Sequence, residues 1–260
     1  MRIAVAGGSG LVGRHVVEAA QARGDQVIVL SRSHGVDLRS GSGLDRAIDS
    51  VEAIVDVTNP SSAERHAAAA FFTDTVGQLQ RVAAERGVKH LVSLSIVGIE
   101  RAPNNAYYAA KLHQERITLA GPLPATVVRA TQFHEFAVQT LRRNLSEGLA
   151  RVPAMRVQPI AARSVGQLLV ETAEQPARGM AVDLAGPAQA DLPDMARAFV
   201  THFGLHITVS SLPPDATVPF GATLPGGGAR VEGPRFEQWL ESDDATRLAA
   251  ELRSDRKEQA

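Results

Sequence analysis

Short apolar runs alternate with longer stretches of helical period through the first half of this chain, and each change of period marks a change of element. Arg2-Ile3-Ala4-Val5-Ala6 and Gln26-Val27-Ile28-Val29-Leu30 have the length and continuity of strands covered on both faces. Between them Leu11, Val12, Val16, Val17 and Ala20 recur at helical spacing, and Gly24 ends the helix. Val51 to Val57 reads as a further buried strand that runs out at Thr58-Asn59-Pro60. Ser61 and Glu64 then read as the capping box of a long helix, in which Ala67, Ala70, Phe71, Val76, Leu79, Val82 and Ala83 recur until Gly87. A strand is expected over Val88 to Ser95, a helix over Ala106 to Ala120 and a strand over Ala125 to Ala130. This alternation predicts an α/β fold, a Rossmann-type doubly wound parallel sheet with its ligand site at the carboxyl ends of the strands.

Beyond Thr131 the pattern loosens. Helices are expected near Glu135 to Leu149, near Ser164 to Glu174, near Leu192 to Phe203 and around Phe236, Trp239 and Leu240, with a strand at Met180 to Ala185. Leu212 to Pro234 is too rich in proline and glycine for a regular element, and reads either as a loop over the active end of the sheet or as a plain surface connector. The tail from Arg253 to Ala260 is expected to fray. The organisation predicted is a single ligand-binding domain over 1–260. Its core covers about 1–130, and substrate-binding elements at about 131–160 and 205–240 form a small C-terminal substrate-binding lobe.

The glycines between the first strand and first helix change this from a fold to a site. Gly7, Gly8, Gly10 and Gly13 read both as Gly8-x-Gly10-x-x-Gly13 and as Gly7-x-x-Gly10-x-x-Gly13. One glycine allows a turn closed to side chains, one lets the backbone approach a pyrophosphate, and one lets the helix lie close to the strand. An anion would meet free amides at the helix N-terminus, so the run Gly7-Gly8-Ser9-Gly10-Leu11-Val12-Gly13 is the candidate dinucleotide cradle. Without that context it would be only a helix-packing turn.

Charge after the second strand bears on which dinucleotide. A carboxylate there binds ribose hydroxyls and repels a 2′-phosphate, which favours NAD. No acid lies between Asp25 and Asp37, whereas Ser31 and Arg32 can donate to phosphate, so NADP is expected over NAD. The alternative is that Arg32 is merely exposed.

Tyr107 and Lys111 lie four apart on an expected helix, which lets an ammonium sit near a phenol and favour its ionised form. Ser93 and Ser95 share a strand face, and Ser95 is nearer the carboxyl end, where its hydroxyl can orient a substrate oxygen. The same spacing also fits a solvated helix face.

Composition narrows the classes. With 27 Lys and Arg against 28 Asp and Glu, no overall field recruits nucleic acid or an anionic membrane. The absence of cysteine removes disulfides, thiolate metal sites and cysteine nucleophiles. No apolar stretch approaches the ~20 residues that cross a bilayer, and the first residues read as a strand rather than a signal peptide, so the cytoplasm is expected. His202 and His206 have the spacing of helical zinc ligands, but Gly204 interrupts them and no third ligand is evident, so no metal is expected. Gly7 to Leu11 is not a Gly-x-Ser-x-Gly elbow, and no glycine loop ends in Gly-Lys-Ser/Thr.

Taken in order, Gly7 to Gly13, Val36-Asp37-Leu38, Leu94-Ser95-Ile96-Val97-Gly98, Tyr107-Tyr108-Ala109-Ala110-Lys111 and Arg129-Ala130-Thr131-Gln132-Phe133 resemble the short-chain dehydrogenase/reductase superfamily, in particular its atypical NmrA-like NAD(P)H-binding members. The resemblance covers most of the chain. It implies that Tyr107 is a proton donor, that Lys111 holds the nicotinamide ribose, and that Ser95 positions a carbonyl. It further implies that Asp37 contacts adenine, that Thr58 and Asn59 pass the nicotinamide ribose, and that Gln132, Phe133 and His134 bound the substrate. In NmrA-like members the tyrosine is often missing, which places Lys111 above Tyr107. Arg163-Ser164-Val165 stands where the superfamily often has an acidic residue. The function expected is an NADPH-dependent oxidoreductase reducing a small apolar carbonyl, quinone or related conjugated acceptor. A redox sensor without turnover and an NAD(P)-dependent epimerase are the alternatives. Expected partners are a small-molecule substrate, with no direct nucleic acid and no membrane, on a monomer or homodimer.

Overall fold

The computed structural model describes residues 1–259, with side chains up to Asp255. In chain order the elements are β1 (Arg2–Ala6), α1 (Leu11–Ala22), β2 (Gln26–Leu30), α2 (Leu44–Ala47), β3 (Ala53–Asp56), α3 (Arg65–Glu85), β4 (His90–Ile96), α4 (Ala106–Ala120) and β5 (Ala125–Ala130). There follow α5 (Glu135–Arg143), β6 (Leu145–Ser146), β7 (Leu149–Pro153), β8 (Arg156–Val157), α6 (Ala162–Ala173), β9 (Gly179–Met180), β10 (Leu184–Ala185) and β11 (Ala190–Asp191). The chain closes with α7 (Leu192–His202), β12 (Thr208–Leu212), β13 (Arg230–Val231), α8 (Phe236–Leu240) and α9 (Asp243–Gln259).

The main sheet has the order β13-β10-β5-β4-β3-β1-β2, with β9 also on β5, and every pairing in it is parallel. Helices cover both faces, which explains why its strands carry so few polar positions. Ile3 and Val5 of β1 pack with Val16 of α1 and Val165 and Leu169 of α6, while Ala4 and Ala6 pack with Leu79, Val82 and Ala83 of α3 on the other side. Because β2 and β3 flank β1 on opposite sides, the strand order reverses at β1. That reversal opens a crevice at the carboxyl ends, where open α/β sheets take ligands.

A third apolar cluster lies apart from these two. It joins Ala137 and Leu141 of α5, Val152 of β7, Phe199 of α7, Trp239 and Leu240 of α8 and Leu252 of α9. A buried carboxylate ties this lobe to the sheet: Asp244 accepts from Arg163 Nε at 3.0 Å and Arg247 Nη2 at 2.7 Å, with His15 of α1 at 3.7 Å. Arg163 is thus spent on Asp244 and on Glu18 at 2.9 Å.

Several boundaries differ from the sequence expectation, each for a local reason. The long helix starts at Arg65 rather than at Ser61, because both oxygens of Glu64 accept backbone amides, from His66 at 3.0 Å and Ala67 at 2.8 Å. One carboxylate there does the work assigned to a two-residue capping box. The helix expected to reach Leu149 ends at Arg143, since Glu147 and Gly148 both take positive φ and close a two-residue hairpin between β6 and β7. Met180 to Ala185 is not one strand but the separate β9 and β10, each pairing with β5. The tail expected to fray is helical from Arg253 to Gln259 as the end of α9, and Ala260 lies outside the described residues.

Of the stretch from Leu212 to Pro234 expected to hold no regular element, Leu212 ends β12 and Arg230–Val231 form β13, while residues 213–229 are an irregular loop whose position is fixed by what it touches. Arg101 donates from Nε to the Ala222 carbonyl at 2.7 Å and from Nη2 to that of Leu224 at 2.6 Å, and Asn105 Nδ2 donates to Thr217 Oγ1 at 3.0 Å. Gly98, just past β4, has φ +76° and approaches the Ala222 carbonyl so closely that a Cβ would overlap it. The loop therefore crosses the carboxyl end of β4 beside the start of α4, with Phe220 82 % exposed on it. No helix among the described residues is long and apolar enough to cross a membrane.

Candidate active site

The crevice at the strand reversal is built from the glycine turn upward. Gly7 takes φ +80°, and a Cβ there would press on the Val57 carbonyl at 3.0 Å, so the turn lies directly against the chain leaving β3. At Gly13 a Cβ would overlap the Gly7 carbonyl, which is why α1 can begin immediately beneath the turn. Gly10 caps α1 in an extended conformation with no side-chain cap, and no acid stands in the first turn. The first amides of α1 are open, and the macrodipole adds partial positive charge, so the cradle suits a pyrophosphate. Ser9 is exposed, whereas Val12 packs into the core and has only its backbone to offer.

At the end of β2, Ser31 leads into a single 3-10 turn over Arg32–His34. Ser31 Oγ bonds His34 Nδ1 at 2.7 Å and Ser33 Oγ at 2.9 Å. Arg32 is exposed, with no salt bridge or hydrogen bond from its side chain among the described residues. Asp37 closes the next turn, accepting from Arg39 N and Ser40 Oγ, both at 3.0 Å, and these bonds hold its carboxyl below the usual carboxylate range.

Asn59 carries the crevice on to α4. It follows Thr58, whose N and Oγ1 both donate to Asp56 Oδ1 at 2.9 and 2.6 Å, and its own Oδ1 accepts from Tyr107 Oη at 2.7 Å. Glycine turn, β3 terminus and tyrosine are thereby in sequence along one edge.

The structure corrects one expectation here. The Lys111 ammonium makes no hydrogen bond to the phenol among the described residues: Nζ donates to the Leu94 carbonyl at 2.7 Å and to Gln114 Oε1, and lies 5.0 Å from the centre of the Phe72 ring. Burial pushes the Tyr107 phenol up to about 12, only partly offset by the Asn59 bond, so it stays protonated at neutral pH. Burial also pulls Lys111 down to about 8 against the attraction of Asp56 and Glu115. The helical spacing put the two residues on one face, but a backbone carbonyl and an amide outcompete the phenol for the ammonium.

Ser95 is 3 % exposed, and its Oγ has no hydrogen-bond partner among the described residues. Ser93 lies deeper, accepting from Gln114 Nε2 at 3.3 Å. After β5, Phe133 bridges to Ile160 and the Gln132 carbonyl accepts from Ile160 N, while Gln132 Oε1 is buried without a partner. His134 is buried; its Nε2 must donate to the Pro234 carbonyl at 3.0 Å, and its ring lies 5.5 Å from Phe236 and 5.6 Å from Trp239. Burial brings its pKa to about 4. His134 is thus neutral and fastens Pro234, between β13 and α8, to the start of α5.

Three polar residues escaped the sequence reading. Asp56 and Gln114 are buried beneath the crevice, and Glu135 is 0 % exposed; its carboxyl accepts from Ala162 N at 3.2 Å and is held by its own backbone amide, yet burial outweighs both bonds and pushes it up to about 7. Asp56 did leave a trace: it is an acid inside the otherwise apolar run from Ala53 to Val57. Gln114 and Glu135 left none, since a polar residue on a helix is ordinarily read as solvated.

Solved structures with this fold include an NAD-bound short-chain dehydrogenase/reductase superfamily protein from Agrobacterium tumefaciens, 16% identical, with a TM-score of 0.64 over 100% of this chain and 98% of that one. The UDP-glucose 4-epimerase of Thermus thermophilus in complex with NAD is 17% identical, with a TM-score of 0.66 over 92% of each chain. The UDP-N-acetylglucosamine 4-epimerase of Bacillus cereus is 18% identical, with a TM-score of 0.68 over 97% of this chain and 96% of that one. Among curated proteins no match was found. The family model for NAD dependent epimerases and dehydratases matches residues 3–133, from the first strand through the glycine turn, the Tyr107 and Lys111 helix and the end of β5. The chain belongs to the NAD dependent epimerase/dehydratase family.

Proposed function

We propose that this chain is an NADP(H)-dependent oxidoreductase of the NmrA-like kind, reducing a small apolar carbonyl, quinone or related conjugated acceptor. The observation that carries the choice of coenzyme is Arg32, exposed after the end of β2 with no hydrogen bond or salt bridge from its side chain among the described residues; Asp37, the acid whose charge it feels, is itself held by Arg39 N and Ser40. Open amides at the start of α1 fit the pyrophosphate. The bound nicotinamide coenzyme would supply the hydride; the remaining chemistry falls to this chain's residues. Tyr107, kept protonated by burial, is suited to donate its proton to the oxygen of a substrate undergoing reduction, and Asn59 aims it. Lys111 holds the coenzyme's ribose and Ser95 orients the substrate oxygen. Gln132 and Phe133 line the far side, with His134 behind them. The loop at 213–229, with Phe220 exposed on it, covers an apolar acceptor and keeps water away.

A second reading, an epimerase or dehydratase, is favoured by the family match itself. It calls for a tightly kept coenzyme that is restored in each turnover, and for a sugar nucleotide as substrate. Oxidation of NADPH by a panel of quinones, ketones and azo dyes separates the readings: stoichiometric NADPH loss supports the reductase, and turnover of a sugar nucleotide without net NADPH loss supports the epimerase. Tight NADP binding with neither turnover would favour a sensor. For the coenzyme preference, Arg32→Glu is expected to weaken NADPH about 30-fold or more while leaving NADH within about threefold, because a charge pair becomes a charge repulsion only for the 2′-phosphate. Equal losses for both coenzymes in a titration of the variant would refute the assignment.

A further inference from the structure

Beneath the crevice lies a hydrogen-bonded chain whose members are all nearly out of solvent: Asp56 is 0 %, Gln114 1 % and Lys111 4 % exposed. Gln114 Nε2 donates to Asp56 Oδ2 at 3.1 Å, and Gln114 Oε1 accepts from the Lys111 ammonium. The other Asp56 oxygen is taken by Thr58, at the chain leaving β3. An ammonium only donates and a carboxylate only accepts, so a side chain bridging them must do both. A glutamine amide meets that condition; methionine, of similar length, offers neither group, and glutamate has no hydrogen for Asp56 once ionised.

The surroundings show what sets the lysine's charge. From β3 comes Asp56; from its own helix comes Glu115, itself paired with Arg129 of β5 at 2.6 Å. β4 contributes the Leu94 carbonyl, and α3 contributes the face of Phe72. Burial favours the neutral forms of both the amine and the Asp56 carboxyl; the Asp56 carboxyl, pushed up by burial and drawn back by Thr58, the lysine's charge and Gln114, is the larger of the two charges opposing the lysine's neutralisation.

We propose that Gln114, braced by Asp56, is a positioning residue that fixes the Lys111 ammonium against the Leu94 carbonyl at the end of β4 and keeps it charged. This rests on the reading of Lys111 as the coenzyme's ribose ligand. Two of the three ammonium hydrogens are committed to Leu94 and Gln114, leaving one for a ribose hydroxyl. Without the amide, the lysine loses one of its two acceptors and its link to the buried carboxylate.

The test uses the full-length protein with 13C-labelled lysine, following the Lys111 ε-carbon by NMR as pH is varied without coenzyme; Lys111→Met assigns the signal. Gln114→Met and Asp56→Asn are each expected to lower the Lys111 midpoint by at least about one pH unit, a tenfold change in proton affinity. Coenzyme affinity at pH 7.5 should fall about tenfold or more in both variants. Gln80→Met is the structural control: Gln80 is equally buried, bonding Thr118 O at 2.7 Å and Leu123 N at 2.8 Å at the far end of the same helix, and its loss should leave the Lys111 midpoint unchanged. A folded Gln114→Met protein with the wild-type midpoint would overturn the proposal, and Asp56→Asn decides it if Gln114→Met does not fold. Should the wild-type protein bind neither coenzyme, the reading of the site fails, while the midpoints still judge the relay.

Discussion

Gly13→Ala should cost this protein at least about 100-fold in coenzyme affinity while leaving its helix content nearly intact. The Cβ it introduces would overlap the Gly7 carbonyl and press on Gly8 Cα, both backbone atoms that no rotamer change can move aside. Relief requires α1 to shift away from β1 or the turn to open. Either displaces the open amides from the positions that meet a pyrophosphate, and small misplacements at such sites are costly. Circular dichroism confirms folding, and coenzyme titration reads the loss. The neighbouring Gly10→Ala is a graded control, since its Cβ would meet only the Gly7 carbonyl at 3.2 Å, and it should lose much less.

Glu135→Gln should markedly change the pH dependence of stability. The Glu135 carboxyl is fully buried, with one oxygen unpartnered, and is held at about 7 against an ordinary value of 4.5. The folded state therefore keeps a proton that the unfolded chain gives up between pH 4.5 and pH 7. Stability contributed by this group is greatest below the unfolded value and is lost as pH rises to the folded one. The amide carries no such titration. The unfolding free energy of the variant relative to wild type should accordingly rise by about 3 kcal/mol between pH 4.5 and pH 8.5. Urea unfolding at a series of pH values measures this directly. A difference that stays flat across the range would show that Glu135 is ionised in the fold at a normal value.

The sheet was legible because its signals are local. Continuous apolar runs gave β1, β2 and β5 to the residue, and the helix from Ala106 to Ala120 follows from spacing alone. The strand-turn-helix order around Gly7 to Gly13 likewise pointed to the crevice. What escaped depends on competition between groups distant in sequence. Lys111 and Tyr107 share a helix face, yet the partners that separate them, Leu94 and Asn59, come from β4 and from the chain leaving β3. Glu64 displaced Ser61 as the helix cap because a carboxylate can satisfy two amides, a choice that capping-box spacing does not rank. The hairpin after Arg143 was hidden by residues that also suit a helix, and only Gly148 marked the turn. Asp244, which gathers Arg163, Arg247 and His15, lies so far along the chain from two of them that no spacing rule connects them.

The most direct test of the central claim is isothermal titration of the full-length protein with NADPH, NADP, NADH and NAD. Saturable binding at one site per chain, with the phosphorylated pair at least about tenfold tighter and the preference abolished by Arg32→Glu, is the predicted result. Absence of measurable heat or affinity for all four, in protein shown to be folded, would contradict it.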